Sequence, residues 1–125
     1  MENIVKEFLK MKTFAVVGSF KDEKKTAYMI VKDLLFKGHV VYPVNPNTKE
    51  VEGLKVIQSV LDLPQGIDVV DLVTPPKSTR EIVEQCLKKN IKNIWMQPGA
   101  ESPEAIDFCI KNGMKVVYGF CVMKA

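Results

Sequence analysis

The chain has few of the residues on which many active sites depend. Its 125 residues include one histidine, His39, and three cysteines, Cys86, Cys109 and Cys121, no two of which lie close together in sequence. A single histidine argues against histidine-based metal sites and Ser-His-Asp triads. An odd, scattered set of cysteines argues against a disulfide framework or a zinc site. We therefore predict no metal site, and free thiols that suit a reducing cytoplasm.

Arginine and long apolar runs are scarce as well. Of the eighteen cationic residues only Arg80 is an arginine, and the formal net charge is +3. Because several arginines usually read bases and phosphates, this composition disfavours nucleic acid as a partner and suits an anionic small ligand better. No apolar run reaches the roughly 18 residues that a membrane span requires. Charged residues interrupt the N-terminal segment, so we expect no signal peptide and no membrane partner.

The chain does contain a regular alternation of compact apolar segments with amphipathic ones. Ser102, at an expected N-cap, and Pro103, at a first helical position, mark the start of one amphipathic segment. A short strand and a single helical turn are predicted within 54–66. Strands are predicted at 13–19, 39–44, 67–75, 91–99 and 114–119, and helices at 4–9, 24–38, 77–90 and 102–113.

Strands that are nearly all apolar and alternate with helices predict a parallel sheet covered on both faces. The length is typical of one domain. We therefore expect residues 1–125 to form a single α/β domain. Its fold is predicted to be Rossmann-like and doubly wound, with a mostly parallel sheet of five or six strands in three layers.

In such a sheet, ligands bind outside the carboxyl ends of the strands, where the strand order reverses. The candidate binding residues are therefore those that follow the predicted strands. They are Gly18, Ser19 and Phe20; Val44, Asn45 and Pro46; Thr74, Pro75 and Pro76; and Gln97 and Gly99. At the last two of these strand ends the alternative interpretation is a purely structural turn.

The loop after the first strand lacks the G-x-G-x-x-G fingerprint of a dinucleotide site, since Gly18 is followed by no second or third glycine. Gly18 would still let the backbone approach a phosphate, and the next helix offers free N–H groups. Lys21, Lys24 and Lys25 either supply charge to such a ligand or are ordinary solvated residues.

The end of the second strand lacks an expected acid. An NAD site places a ribose-binding carboxylate about 20 residues beyond the glycine turn, yet Pro43 to Pro46 contains none. NAD is therefore disfavoured, whereas a ribose that carries a phosphate, as in NADP, would tolerate this turn. The alternative is a turn made rigid by Pro43 and Pro46 without ligand contact.

Several segments together resemble the CoA-binding domain family. The similarity is to small stand-alone CoA-binding proteins, which share the nucleotide-binding domain of the succinyl-CoA synthetase α subunit. The segments run in family order over nearly the whole chain after the first helix. They are AVVGS at 15–19, VYPVNP at 41–46, VEGLKV at 51–56, LDLP at 61–64, IDVVDLVTPP at 67–76, IWMQPGAES at 94–102 and GFCV at 119–122.

The resemblance implies a CoA site at the first loop and the end of the second strand. Gly18 and Lys25 match the first-loop glycine and lysine of the family, and Val44 to Pro46 match its second-strand motif. Two positions depart from the family pattern. Phe20 stands where serine is usual, and Ala27 replaces a later glycine.

Catalysis is not expected from these residues. The catalytic histidine of the synthetase α subunits belongs to a second domain, for which we expect no room in 125 residues. Cys121, where the family tends to have cysteine, is interpreted either as a small packing residue or as a thiol that reacts with the CoA thiol. Asp68 and Asp71 are expected to mark the two ends of a buried strand.

The sequence thus predicts a stand-alone module that binds coenzyme A or an acyl-CoA and has no catalytic residues. The alternatives are an NADP-binding, oxidoreductase-like protein and the CoA-binding subunit of a multi-chain acyl-CoA synthetase. The sequence leaves both a homodimer and a separate partner protein open, and a stable homo-oligomer would weaken the subunit interpretation. Joint replacement of Asn45 and Lys25 is predicted to weaken CoA binding without unfolding the domain.

Overall fold

The four helices and the five longer strands lie close to the positions that the sequence pattern predicts, whereas the short strand at Glu50–Val51 was not predicted. The computed structural model describes all residues from Met1 to Ala125. The helices are α1 (Glu2–Leu9), α2 (Thr26–Phe36), α3 (Pro76–Lys88) and α4 (Pro103–Lys111), and one 3-10 turn covers Val60–Asp62. The strands are β1 (Thr13–Val17), β2 (Val40–Val44), β3 (Glu50–Val51), β4 (Leu54–Lys55), β5 (Val69–Leu72), β6 (Asn93–Met96) and β7 (Lys115–Tyr118).

Five of these strands form one parallel sheet in the order β2-β1-β5-β6-β7, and β3 and β4 form a separate antiparallel hairpin. The chain builds outward from β1 to β2 and then returns to the other side of β1. The strand order therefore reverses between β1 and β5, which is where ligands bind in such sheets. The predicted α/β, Rossmann-like, doubly wound fold is confirmed.

The sheet separates two hydrophobic cores. One core contains Phe8 of α1 and Ile30 of α2, packed on the sheet face that carries Trp95. The other contains Val83 of α3 and Cys109 of α4, on the face that carries Met96. Adjacent strand residues point to opposite faces, so a strand buried on both faces must be apolar at nearly every position.

The start of α4 follows from its first two residues. The Ser102 hydroxyl accepts a hydrogen bond from the Ala105 N–H at 3.0 Å, and Pro103 occupies the first turn. Pro103 has no N–H that would need a partner there. The predicted N-cap is confirmed.

Asp71 is the residue for which the expectation from sequence is wrong. It does not end a strand but lies inside β5, between Val16 of β1 and Trp95 of β6, and it is fully buried. Neither carboxylate oxygen has a hydrogen-bond partner. Burial raises the pKa of Asp71 well above its usual value, because the apolar core disfavours the charged form. Asp68 does precede β5, where it accepts hydrogen bonds from the Lys12 and Thr13 N–H groups.

None of the helices combines the length and the apolar character that crossing a membrane requires.

Candidate functional site

A cavity of about 440 Å³ opens at the point where the strand order reverses. It lies between the carboxyl ends of β1, β2 and β5, as the fold class predicts. Seven of the residues proposed from the sequence border it. They are Gly18, Ser19, Val44, Asn45, Pro46, Thr74 and Pro75.

Gly18 allows a close approach between the end of β1, helix α2 and the end of β5. A Cβ atom on Gly18 would lie 2.6 Å from the Cβ of Ala27 and 3.0 Å from the carbonyl oxygen of Val73. Both distances are too short for ordinary packing. Gly18 and Ala27 are thus small for the same reason. They let the helix pack tightly on the strand end, which is the role of the third glycine in the related dinucleotide motif.

The Asn45 side chain ties two strand ends together. Its amide Nδ2 donates a hydrogen bond to the Gly18 carbonyl oxygen at 2.7 Å, and its Oδ1 accepts one from the Asn47 N–H at 2.7 Å. The second bond forms a side-chain turn typical of asparagine. Because both ends of the side chain have protein partners, Asn45 positions the cavity wall in addition to bordering the cavity.

Thr74 continues the wall at the end of β5. Its hydroxyl lies 2.6 Å from that of Thr79, which is fully buried in α3. The Thr79 N–H donates to the Pro75 carbonyl oxygen at 3.0 Å. These bonds hold the strand exit against the first turn of α3.

The structure places the other five predicted site residues outside this cavity. Phe20 is buried in the core beneath α1 and α2, and Lys25 is the exposed N-cap of α2. Pro76 begins α3 and faces the groove between α3 and α4. Gly99, at a φ of 95°, borders a smaller neighbouring cavity with Thr74 and Pro75.

Gln97, the fifth of these, is only 2% exposed and forms a clasp with the C-terminal segment. Its Nε2 donates to the Cys121 sulfur at 3.3 Å, and its Oε1 accepts from the Val122 N–H at 3.0 Å. The amide therefore fixes the segment after β7 on the α1 and α2 side of the sheet. Cys121 is the one thiol that retains partial exposure.

Eight further cavity residues were not predicted from the sequence. Val17 ends β1 and Val73 follows β5. The other six are Gln58, Ser59 and Val60, before and at the 3-10 turn, and Ser78, Ile82 and Gln85 on α3. The α3 residues are spaced by four and then three, so they share one helix face. The same helical spacing, counted from Pro75 at the strand exit, indicates in the sequence that these side chains face the cavity. The 58–60 run reaches the cavity because Ile57 bridges to Val44, which no sequence pattern indicates.

The cavity lining contains no charged side chain. Its polar groups are the hydroxyls of Ser19, Ser59, Ser78 and Thr74 and the amides of Asn45, Gln58 and Gln85. Valines, prolines and Ile82 supply the apolar walls. Such a lining can hydrogen-bond a neutral polar group and pack against alkyl or base surfaces, and its volume is in the range of small-ligand sites.

The remaining candidate reactive groups lie away from this cavity. Burial raises the pKa of the Cys86 thiol to about 12 and that of Cys109 to about 11. The Nδ1 of His39 lies 2.8 Å from the Met11 carbonyl oxygen, at the amino end of β2. No three His, Cys, Asp or Glu side chains are arranged to hold a metal ion.

Comparison with known proteins identifies a family and several solved structures that are similar to this chain. The family described as CoA binding domain matches residues 12–125. A conserved hypothetical protein from Pyrococcus furiosus superposes with a TM-score of 0.87 at 42% identity, over 90% of this chain and 97% of that one. A hypothetical protein from Pyrococcus horikoshii OT3 gives a TM-score of 0.91 at 40% identity, over 98% and 86%.

A longer relative is the acetate–CoA ligase [ADP-forming] II subunit alpha of Pyrococcus furiosus. It is 29% identical over 92% of this chain. The chain spans 28% of the length of that subunit.

Proposed function

Because the chain belongs to the CoA-binding domain family, we propose that it binds coenzyme A or an acyl-CoA in the cavity between β1, β2 and β5. The observation that carries this proposal is the position of the cavity, at the carboxyl ends of the strands where the strand order reverses. Gly18, Asn45 and Thr74 bring three separate strand ends to it.

The lining fits the neutral parts of CoA. The pantetheine arm has two amides, a hydroxyl and a geminal dimethyl group, and the adenine base is flat and polar at its edge. Side-chain amides and hydroxyls on apolar walls can pair with either part. Since no charged residue borders the cavity, the phosphates of CoA would lie at its rim rather than inside it.

We propose a binding role without catalysis by this chain. The buried Cys86 and Cys109 are held as thiols by their raised pKa values, and the thiolate is the reactive form of cysteine. His39 lies at the amino end of β2, at the opposite end of that strand from the cavity. The three free cysteines support a reducing cytoplasmic location.

Thermal unfolding with added ligand tests the proposal. A ligand at 100 times its dissociation constant stabilises the folded state by about 2.7 kcal/mol, so CoA is expected to raise the melting temperature. Ser78→Trp, which puts an indole into the cavity, should abolish the rise. Glu81→Trp, on an exposed position of the same helix, should retain it. No shift of the native protein at millimolar CoA would refute the proposal.

The second candidate is the CoA-binding subunit of a multi-chain acyl-CoA synthetase. The observation that favours it is the similarity to a ligase subunit alpha, a protein whose name implies further subunits. Native mass spectrometry of protein purified from its own cells distinguishes the two. A complex with a second, different chain supports the subunit role, whereas a monomer or homo-oligomer that carries CoA supports the stand-alone role.

A further inference from the structure

The edge of the sheet opposite the cavity collects the segments that join each helix to the next strand. The five strands are parallel, so their amino ends all lie at this edge. Backbone hydrogen bonds join the neighbouring segments. The Val40 N–H donates to the Lys12 carbonyl oxygen at 2.9 Å, and the Lys115 N–H donates to the Lys92 carbonyl oxygen at 2.7 Å. The strand starts and the adjacent helix ends therefore form one continuous face.

This face, called here the basic end, is defined by Lys10, Lys12, Lys88 and Lys92. All four are exposed, and none forms an ion pair. Three further lysines of the same face are each paired with an acid. Asp68, before β5, lies between the starts of β1 and β6, where its carboxylate accepts two backbone N–H groups. The basic end therefore carries a positive excess.

Attraction to helix ends explains only part of this excess. Lys10 and Lys88 lie at the carboxyl ends of α1 and α3, where unpaired backbone carbonyl groups favour a cation. Lys12 and Lys92 lie beyond the helix ends, each directly before a strand. The fold itself therefore gives no reason for a cation at these two positions.

An exposed aromatic side chain borders the basic end. Phe36 is the last residue of α2 and is 92% exposed, and Val40 at the start of β2 is 39% exposed. Val40 adjoins Lys12 through the backbone bond between their segments. Phe36 adds almost nothing to the core, whereas an aromatic side chain with charged residues around it is typical of protein interfaces.

We propose that the basic end is a docking surface for an acidic segment of another protein, with Phe36 as its apolar anchor. Charge complementarity favours an acidic partner. The exposed Phe36 and the scarcity of arginine favour a protein over a nucleic acid. The basic end and the cavity lie at opposite edges of the sheet, so the partner and CoA would bind at the same time. The inference goes beyond the proposed function and does not depend on it.

Fluorescence anisotropy with two labelled synthetic peptides tests this surface at low ionic strength, where charges are least screened. One peptide contains six glutamates and two leucines, and the other has glycines in place of the leucines. The native protein should bind both, and the leucine peptide more tightly. K12E/K92E should lower both affinities by about tenfold or more, because attraction becomes repulsion. Phe36→Ser should remove the preference for leucine and leave the glycine peptide unaffected.

A matched control changes the net charge by the same amount elsewhere. K21E/K24E reverses two exposed lysines of the first loop, at the other edge of the sheet. This variant should bind both peptides as the native protein does. An equal loss in K21E/K24E and K12E/K92E would show attraction by net charge alone and would overturn the surface. K12Q/K92Q should show a smaller loss in the same direction, and it introduces no repulsion that could unfold the chain.

Other outcomes would also overturn the inference. They are no binding of either peptide, a leucine preference that Phe36→Ser does not alter, and tighter binding of single-stranded RNA or phosphatidylserine vesicles at the same salt concentration. Saturating CoA should leave the peptide affinities unchanged, and a competitive loss would contradict two separate sites. A native protein that binds the peptides as described but binds no CoA would refute the proposed function alone.

Discussion

At the residue scale, the contact between Gly18 and Ala27 limits what the first loop can tolerate. The Cβ of an alanine at position 18 would overlap the Ala27 Cβ and the Val73 carbonyl group. Gly18 and Ala27 match glycine positions of a phosphate-binding loop, yet both are also residues at which the strand end and the helix pack together.

We expect Gly18→Ala to lower the free energy of unfolding by about 1–3 kcal/mol, because overpacking forces neighbouring groups apart. Urea unfolding of the native protein and the variant measures the loss. Adding Ala27→Gly should recover part of it, since the closest clash then disappears. Strictly additive losses in the double variant would show that the two residues do not compete for the same space.

The buried Asp71 makes the stability of the fold depend on pH. Its pKa is raised in the folded state, so the folded protein holds the proton more tightly than the unfolded chain does. The stabilisation of the folded state by this bound proton is fully present at pH values below the usual pKa of aspartate. It is lost as the pH rises through the raised pKa of Asp71.

We expect Asp71→Asn to gain stability relative to the native protein as pH increases from about 4 towards neutrality. The measurement is a set of urea unfolding curves across that range. Asp107→Asn, at an exposed carboxylate of α4, should show no such trend. If the free energies of unfolding of Asp71→Asn and the native protein differed by the same amount at every pH, the raised pKa of Asp71 in the folded state would be contradicted.

At the scale of single elements, the ends of helices are the best determined by local sequence. Ser102 and Pro103 define the start of α4 by chemistry that does not depend on the rest of the fold. The Ser102 hydroxyl has one partner, the Ala105 N–H.

We expect Ser102→Ala to cost about 1 kcal/mol of stability, since a helix N–H loses its acceptor. Ser102→Asp should cost much less, because a carboxylate accepts the same bond and interacts favourably with the helix dipole. Thermal unfolding of the three proteins provides the comparison. Equal destabilisation by alanine and aspartate would mean that the cap bond contributes nothing.

The helices and strands were predictable because apolar runs and helix caps depend only on neighbouring residues in the sequence. Membership of the site depends on where each side chain points in the folded chain. Gln97 and Phe20 follow strands as expected, yet neither side chain borders the cavity. Phe20 packs in the core beneath α1 and α2, and Gln97 binds Cys121 and Val122. Asp71 could not be placed because a strand buried on both faces shows no polar and apolar alternation from which to read its position. Gln58 and Ser59 reach the cavity through a bridge between Ile57 and Val44, a long-range contact.

At the scale of the whole molecule, α1 completes a core that the rest of the chain leaves open. The family match begins at residue 12, after this helix. Phe8 of α1 is fully buried, and its ring centroid lies 6.3 Å from that of Trp95, the only tryptophan. The helix therefore covers the sheet face opposite to that of α3 and α4.

We expect Phe8→Ala to lower the free energy of unfolding by about 3 kcal/mol or more, as for other large buried side chains. Trp95 fluorescence during urea unfolding reports the loss directly. CoA affinity under native conditions should be unchanged, because Phe8 packs on the face of the sheet away from α3, which lines the cavity. A loss of CoA affinity as large as the loss of stability would show that the two faces are coupled.

The uncharged cavity has a consequence for the kinetics of the proposed ligand. Opposite charges accelerate the encounter of two molecules and are screened by salt, whereas close neutral packing is not. If the positive charges that attract CoA lie outside this uncharged lining, ionic strength acts mainly on how fast CoA arrives. The neutral walls around Asn45 and Thr74 then set how long it stays. The association rate of CoA and its dissociation rate are thus set by different parts of one surface.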